Sequence, residues 1–246
     1  MVKVGLFIPC YINQFYPSVA RATLKLLESL GCQVAYPVSQ TCCGQPPANS
    51  GLEREAIPIY EHFVHIFGDY DYTVAPSGSC VHHVRHHFDV LDQAAAVQHV
   101  RERTLDIVEF MVDILDVQEI EAHFPHKVGL HQSCHGLRGL RLASPSELIT
   151  DRYSKWERLL NMVDGLELAT LDFADECCGF GGTFSVSEEA VSVKMGKDRI
   201  LDHQRNGATF ITSGDMSCLM HMDGILRRKK QDLQVIHLVE ILASHE

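Results

Sequence analysis

Short apolar runs alternate with helical periodicities along the chain. The first run, VKVGLFI at 2–8, ends at Pro9 and is typical of a fully buried strand. The next segment, 17–30, carries apolar side chains every three or four residues, a helical spacing, and Gly31 follows as a C-cap. The alternation continues with strands predicted at 32–37 and 70–76 and a helix at 52–67. The first half therefore predicts three strands separated by helices.

The second half repeats this order. Its strands are predicted at 126–132, 166–172 and 208–214, its helices at about 145–163 and 187–204, and a last strand and short helix at 233–242. Strands that alternate with helices indicate parallel sheets covered on both faces. We therefore predict an α/β fold of two pseudo-symmetric halves, each with a parallel Rossmann-like sheet.

A helical segment is expected between the halves. Leu105, Val108, Val112 and Leu115 form one face of a helix predicted within 101–116. With 246 residues, 46% of them hydrophobic, the chain can build one large domain or two small ones. We predict a first domain at 1–95, a helical connector at 96–124 and a second domain at 125–246.

The chain contains nine cysteines, and their arrangement limits the kinds of site that it could form. Cys32 starts a predicted strand and is expected to fill the core. The others form two series of one pattern, a Cys, then Cys-Cys-Gly, then a Cys: Cys10, Cys42, Cys43 and Cys80, followed by Cys134, Cys177, Cys178 and Cys218. A Ser-Gly pair also precedes the last cysteine of each series. Such a repeat indicates a duplicated structural unit.

Each cysteine of the two series follows the end of a predicted strand. In open α/β sheets the carboxyl edge is where ligands bind, so four thiols should meet at one edge of each sheet, on metal-binding loops. Four thiols suit tetrahedral zinc or an iron–sulfur cluster. Their spread over about 70–85 residues and the adjacent pairs favour the cluster. Gly44 and Gly179 would let the backbone pass close to inorganic sulfide.

Charge and hydropathy exclude other classes of protein. The net charge of −11 argues against nucleic-acid binding, which requires clustered Lys and Arg. No stretch approaches the roughly 18–20 apolar residues that span a bilayer, and the N-terminal run is too short for a signal peptide. We expect the protein to be cytoplasmic. In the cytoplasm, cysteines bind metals or take part in redox chemistry more often than they form structural disulfides.

The cysteine motifs resemble those of the CCG cysteine-rich iron–sulfur family. LGCQVAYP, CCGQPPANSG, CCGFGGTFSV and DMSCLMH are similar to its lactate-utilisation group, and nearly the whole chain takes part. Related domains occur in heterodisulfide reductase and in the iron–sulfur component of glycolate oxidase. The resemblance implies one or two clusters, most often [4Fe–4S], held by the eight cysteines. It also implies electron transfer in a system that oxidises L-lactate to pyruvate. The implied partners are two further lactate-utilisation proteins, the B and C components, and any peripheral membrane contact would be made through them.

The histidines depart from the pattern of heterodisulfide reductase. Its motif ends in Cys-x-x-Cys, whereas CVHH at 80–83 and CLMH at 218–221 end in His. His83 and His221 are therefore candidate extra ligands, and a five-thiol cluster is not expected. His82, His86 and His87 are better explained as exposed helix residues. His131 and His135 flank Cys134, where they could tune a cluster by hydrogen bonding, but we do not assign them this role.

Three functions fit these observations. The first is an electron-transfer subunit, inactive on lactate alone, because the chain has neither a Gly-x-Gly-x-x-Gly fingerprint after its first strand nor a recognisable catalytic set. The second is a zinc-binding structural or assembly module on the same scaffold, where zinc could also replace lost iron. The third is a thiol or heterodisulfide reductase, which would need an exposed thiol of low pKa. We assign no catalytic residue.

Overall fold

The chain folds into two compact units that divide between Leu115 and Asp116. A computed structural model describes residues 2–244. We call the N-terminal part unit 1 and the C-terminal part unit 2. The division lies inside the predicted connector 96–124, and the predicted domain limits themselves stay a prediction.

Unit 1 is built on a parallel sheet. Its strands are β1 (Lys3–Leu6), β2 (Gln33–Ala35), β3 (Tyr72–Ala75) and β4 (Thr104–Asp106). They lie in the order β2-β1-β3-β4, and each pairs with its neighbour in parallel. The α-helices are α1 (Cys10–Phe15), α2 (Pro17–Ser29), α3 (Gln45–Asn49), α4 (Glu53–Phe67), α5 (Gly78–His87), α6 (Ala95–Arg103) and α7 (Ile107–Glu109), with a 3₁₀ turn at Phe88–Val90 and a π-helical turn at Phe110–Ile114.

Unit 2 repeats this topology. Its strands are β5 (Lys127–Leu130), β6 (Glu167–Leu168), β7 (Phe210–Ser213) and β8 (Gln234–His237), in the parallel order β6-β5-β7-β8. Its α-helices are α8 (Lys155–Leu160), α9 (Phe184–Ser187), α10 (Glu189–Arg205), α11 (Met216–Lys229) and α12 (Leu238–Leu242), with a π-helical turn at His135–Gly139. The predicted α/β fold of two similar halves with parallel sheets is confirmed.

The repeat extends to single residues of the central strands. Both β1 and β5 read Lys-Val-Gly-Leu, and each is followed after three residues by the first cysteine of its series. A Cβ atom on Gly5 would lie 2.7 Å from the Tyr70 ring, and one on Gly129 would lie 2.0 Å from Nδ1 of His203. Neither gap holds even a methyl group, so in each unit a large side chain packs directly on the strand backbone.

The single helix predicted within 101–116 is wrong. Helix α6 ends at Arg103, and β4 then forms the edge of the unit 1 sheet, pairing with β3. All three residues of β4 are buried, and Asp106 accepts a hydrogen bond from the backbone N–H of Val108 to start α7. Pairing with a buried strand thus outweighs the local helical periodicity, as tertiary context often does.

The helix predicted at 145–163 is much shorter than expected. Only α8 is helical there, and the preceding segment 141–154 is a loop fastened by its own backbone and side chains. Tyr153 donates its hydroxyl to the carbonyl of Arg141, and Ser144 N–H donates to the carbonyl of Tyr153. The predicted strand at 166–172 is likewise reduced to β6. In the loop 141–154, the hydrogen bonds of Tyr153 and Ser144 take the place of the helical hydrogen bonds that the sequence pattern predicted.

Cys32 is buried in unit 1, as expected for a core residue. Over residues 2–244, none of the helices combines the length and the apolar character that crossing a bilayer requires.

Candidate metal centres

Three adjacent strands bring the first cysteine series together. Cys10 begins α1 after β1, the Cys42–Cys43 pair follows β2, and Cys80 is the third residue of α5 after β3. Because β2, β1 and β3 are parallel neighbours, their carboxyl ends share one edge of the sheet. The Sγ atoms of Cys42 and Cys10 are 3.9 Å apart, and Cys43 hydrogen-bonds to both Cys42 and Cys80. The four sulfurs therefore form one connected chain.

The second series has the same connections. Cys134 follows β5, the Cys177–Cys178 pair follows β6, and Cys218 is the third residue of α11 after β7. Hydrogen bonds join Cys134 to Cys177, Cys177 to Cys178 and Cys178 to Cys218. The structure thus brings each predicted set of four thiols together within its own unit. All nine cysteines of the chain are free thiols.

A glycine in the left-handed conformation shapes each Cys-Cys turn. Gly44 has φ 87° and Gly179 has φ 86°, values that side-chain-bearing residues rarely adopt. A Cβ atom on Gly44 would meet the Tyr60 ring at 2.4 Å, and one on Gly179 would meet the carbonyl of Ser192 at 2.6 Å. Each glycine N–H donates to the first sulfur of its pair, at 3.4 Å in unit 1 and 3.3 Å in unit 2. The turns therefore hold one sulfur as a hydrogen-bond acceptor.

Each set concentrates negative charge on one sulfur. Hydrogen bonds from Cys10 and Cys43, with a smaller contribution from the Gly44 N–H, lower the pKa of Cys42 to about 3. The corresponding bonds from Cys134 and Cys178 lower the pKa of Cys177 to about 2.

The donating thiols shift in the opposite direction. The pKa values of four thiols rise because each donates to a neighbouring thiolate and because each is removed from water: Cys10, Cys43, Cys134 and Cys178. Ionising all the sulfurs of one set therefore requires compensating positive charge. The chemistry of the donor sets fits a multivalent metal centre, and these eight thiols are the residues that could hold it.

The candidate histidine ligands take part in hydrogen bonds. His83 is buried, and its Nε2 lies 3.0 Å from the hydroxyl of Tyr60. His221 Nε2 lies 3.3 Å from the carbonyl of Ser192, and its pKa is lowered, chiefly by burial. Ligation by His83 or His221 stays a prediction, and it would require each ring to exchange this partner for the metal.

His131 lies beside two cysteines of the second set that are distant from it in sequence. A ring nitrogen of His131 and the sulfurs of Cys178 and Cys218 all lie within 4.8 Å of one another. His131 is only 1% exposed, and its pKa is lowered to about 3, first by burial and then by the charge of Arg199. His135 begins the π-helical turn beside Cys134.

Arg199 was not among the residues singled out from the sequence. It is fully buried on α10, and its Nε donates to Nδ1 of His131 at 3.1 Å. The sequence does contain one signal for such a partner. His131 directly follows β5, whereas the apolar Phe7 directly follows β1, and a polar residue at a buried position needs a hydrogen-bond partner. Its partner could not be identified without the fold, because Arg199 lies 68 residues away along the chain.

Comparison with known proteins agrees with this arrangement. The CCG cysteine-rich domain model matches twice, at residues 4–85 and 128–223. Lactate utilization protein A from Exiguobacterium sp. is 40% identical over 98% of this chain and 97% of its own length. The proteins of that name from Halalkalibacterium halodurans and Macrococcus caseolyticus are 36% and 37% identical, over 100% and 98% of this chain and 98% and 96% of their own lengths.

The fold is also found among solved structures. The crystal structure of a hypothetical protein from Helicobacter pylori matches with a TM-score of 0.67 at 12% identity, over 99% of this chain and 49% of that one. The chain thus spans about half of that protein, and the likeness concerns the fold alone. Two family matches, one in each unit, together with relatives similar over their full length, show that this chain belongs to the CCG cysteine-rich domain family.

Proposed function

We propose that this protein is an iron–sulfur electron-transfer subunit of a multi-protein system that oxidises L-lactate to pyruvate. Its relatives carry the name lactate utilization protein A, which supports a metal-binding subunit of a multi-component lactate-utilisation system. The observation that carries the finer proposal is the connected set of four sulfurs at the sheet edge of each unit.

The residues of this chain fit a cluster in three ways. Adjacent cysteines can ligate different irons of a cluster, whereas both strain to reach one small ion. The N–H groups of Gly44 and Gly179 already donate to sulfur, as amides do around anionic clusters. Cys43 and Cys178 are buried, which limits the access of water and oxidants. We propose one [4Fe–4S] cluster per set, ligated by the eight cysteines of the two series.

The chemistry that a bound cluster supplies is one-electron transfer. Oxidation of one lactate to pyruvate releases two electrons and two protons, so two sites that each accept one electron match one turnover. We assign removal of the protons from lactate to a partner, since nothing in the two cysteine sets resembles a general base poised for a carbon acid. The proposed partners are two further lactate-utilisation proteins, and the proposed compartment is the cytoplasm.

The first experiment is metal analysis after strictly anaerobic purification. We expect about eight irons per chain with matching sulfide, an absorbance near 400 nm, and an EPR signal after reduction, whereas about four irons would indicate that one set is occupied. L-lactate should reduce the clusters only when the two partner proteins are present. Zinc without iron, even after anaerobic reconstitution, would contradict the proposal and leave a zinc-binding structural module on the same thiols.

One observation favours a second candidate, a thiol or heterodisulfide reductase. Cys42 and Cys177 have lowered pKa values and are partly exposed, which is the condition such chemistry requires. A thiolate stabilised this strongly is, however, a weaker nucleophile. Alkylation with iodoacetamide separates the two functions. Iron-loaded protein should resist labelling at both cysteines if they are ligands, whereas a thiol catalyst should be labelled and should reduce a disulfide substrate.

A further inference from the structure

A buried cation and a buried imidazole lie together beside the second cysteine set. Arg199 donates to Nδ1 of His131 at 3.1 Å and to the carbonyl of Leu130 at 3.3 Å. It also forms an ion pair with Asp202 at 3.0 Å, while Asp202 in turn accepts from Arg205. Two arginines therefore share this carboxylate, and Arg205 also pairs with Asp172 at 2.7 Å. The network balances two arginines with two carboxylates, and within it Arg199 is the cation that interacts with Cys178.

Arg199 decides which nitrogen of His131 carries the proton. A guanidinium group has donors and no acceptor, so Nδ1 must accept and the neutral ring must hold its proton on Nε2. Nε2 is buried and has no hydrogen-bond partner among residues 2–244. A ring nitrogen of His131 and the sulfurs of Cys178 and Cys218 all lie within 4.8 Å of one another, and Nδ1 is already engaged by Arg199. His131 is therefore placed as a hydrogen-bond donor to the site, and direct ligation through Nε2 would require an imidazolate.

Unit 1 has an apolar cluster at the same position. Phe7 follows β1 as His131 follows β5, and its ring packs on Phe63 and Phe67 with centroids 4.9 and 5.7 Å apart. Phe67 packs over the glycine of β1 as His203 packs over the glycine of β5. At this one position the surroundings of the two cysteine sets therefore differ, aromatic in unit 1 and polar in unit 2, while the buried imidazole of His83 acts on Cys42 elsewhere in unit 1.

We propose that Arg199 and His131 raise the reduction potential of the centre held by the second cysteine set above that of the first. This inference rests on the proposed iron–sulfur function. A hydrogen bond to a ligand sulfur and a nearby positive charge both favour the form with one more electron. The first electron delivered by a reductant should therefore reduce the second site, with no bond made or broken.

An anaerobic redox titration followed by EPR tests this ordering. Cys42→Ser and Cys177→Ser variants of the full chain assign the signals of the second and first sites. His131→Phe copies the residue of unit 1, His131→Gln retains an N–H donor, and Phe7→Leu is the matched control. Each variant is compared at equal iron content and equal far-UV circular dichroism, so that a misfolded chain is recognised.

In the parent chain the second site should be reduced first. His131→Phe should lower the ratio of reduced to oxidised second site at a fixed potential by about tenfold, which is 59 mV for one electron. His131→Gln should recover most of this loss, and Phe7→Leu should leave the second site unchanged. An iron-loaded His131→Phe chain with an unchanged second-site potential would overturn the inference while leaving the proposed function intact. A parent chain that takes up no iron would contradict both.

A second readout needs no iron. In zinc-loaded protein, nitrogen-15 NMR of histidine should show His131 with a bare Nδ1 and a protonated Nε2, and Arg199→Met should abolish this preference. A proton on Nδ1 in the parent chain would overturn the assignment of the donor.

Discussion

The two units build the same four-thiol arrangement on different supporting side chains. After β1 the ring of Phe7 packs on Phe63 and Phe67, whereas after β5 His131 accepts a hydrogen bond from buried Arg199. Aromatic rings gain free energy from burial alone, while a buried arginine has to recover its lost hydration through hydrogen bonds and an ion pair. The comparison shows that strand topology brings the sulfurs of each set together. The side chains that pack behind the sulfurs can differ between the units while the hydrogen-bonded chain of sulfurs stays the same.

The largest expected effect is the loss of one metal centre. Cys42→Ser should empty the first site and Cys177→Ser the second, and each variant should retain about half of the parent's iron. Iron and sulfide analysis after anaerobic reconstitution measures this. Cys32→Ser is the control, because Cys32 belongs to neither set and should leave the iron content unchanged. Loss of all iron in either variant would contradict two separate centres.

The next largest effect is a difference in stability between variants of the polar side chains behind the second cysteine set and of the aromatic side chains behind the first. Arg199→Met removes one of the two arginines that pair with buried Asp202 and the donor to His131, so it should lower the free energy of unfolding by about 3 kcal/mol. Phe63→Leu, the apolar counterpart, should cost less than about 1.5 kcal/mol. Urea unfolding measures both, with fluorescence of Trp156, the single tryptophan of the chain, reporting on unit 2. An equal cost for the two variants would remove the energetic distinction.

A third difference should appear as acid sensitivity of unit 2. Burial, followed by the charge of Arg199, lowers the pKa of His203 well below its ordinary value. Below about pH 6.5 the unfolded chain therefore binds a proton at His203 that the folded chain refuses, which lowers the free energy of unfolding by about 1.4 kcal/mol per pH unit as the pH falls. His131, whose pKa is also lowered, adds a similar slope. His203→Phe, which copies Phe67 of unit 1, should reduce this slope. Unfolding of metal-free protein from pH 7 to 5 measures the slope, and identical slopes would contradict the prediction.

The smallest effects concern the helices behind the Cys-Cys-Gly turns. Tyr60→Phe removes the hydroxyl that bonds to His83, and Ser192→Ala removes the hydroxyl that donates to the carbonyl of Gly179 at 2.7 Å. Each should cost about 1 kcal/mol of stability. Because the substitutions lie in different units, the double variant should show the sum of the two losses. A marked departure from additivity would indicate coupling between the units.

The local signals in the sequence predict the repeated part of the molecule well. The apolar run before Cys10 and its counterpart before Cys134 are strands, and each Cys-Cys-Gly follows a strand, so parallel topology alone brings the thiols of a set to one edge. Gly44 and Gly179 adopt a left-handed conformation that residues with side chains rarely take, whereas their predicted close approach to inorganic sulfide stays a prediction.

The two-unit α/β fold, the family and the grouping of the eight cysteines are predictable because they depend on periodicity and spacing along the chain. The strand β4, the loop at 141–154 and the contact between Arg199 and His131 become evident in the folded chain. Each of these features depends on a partner distant in sequence, or on contacts that offset the free energy of removing polar groups from water. The cysteines repeat visibly, whereas the surroundings that distinguish the two sites are created when helix packs on sheet.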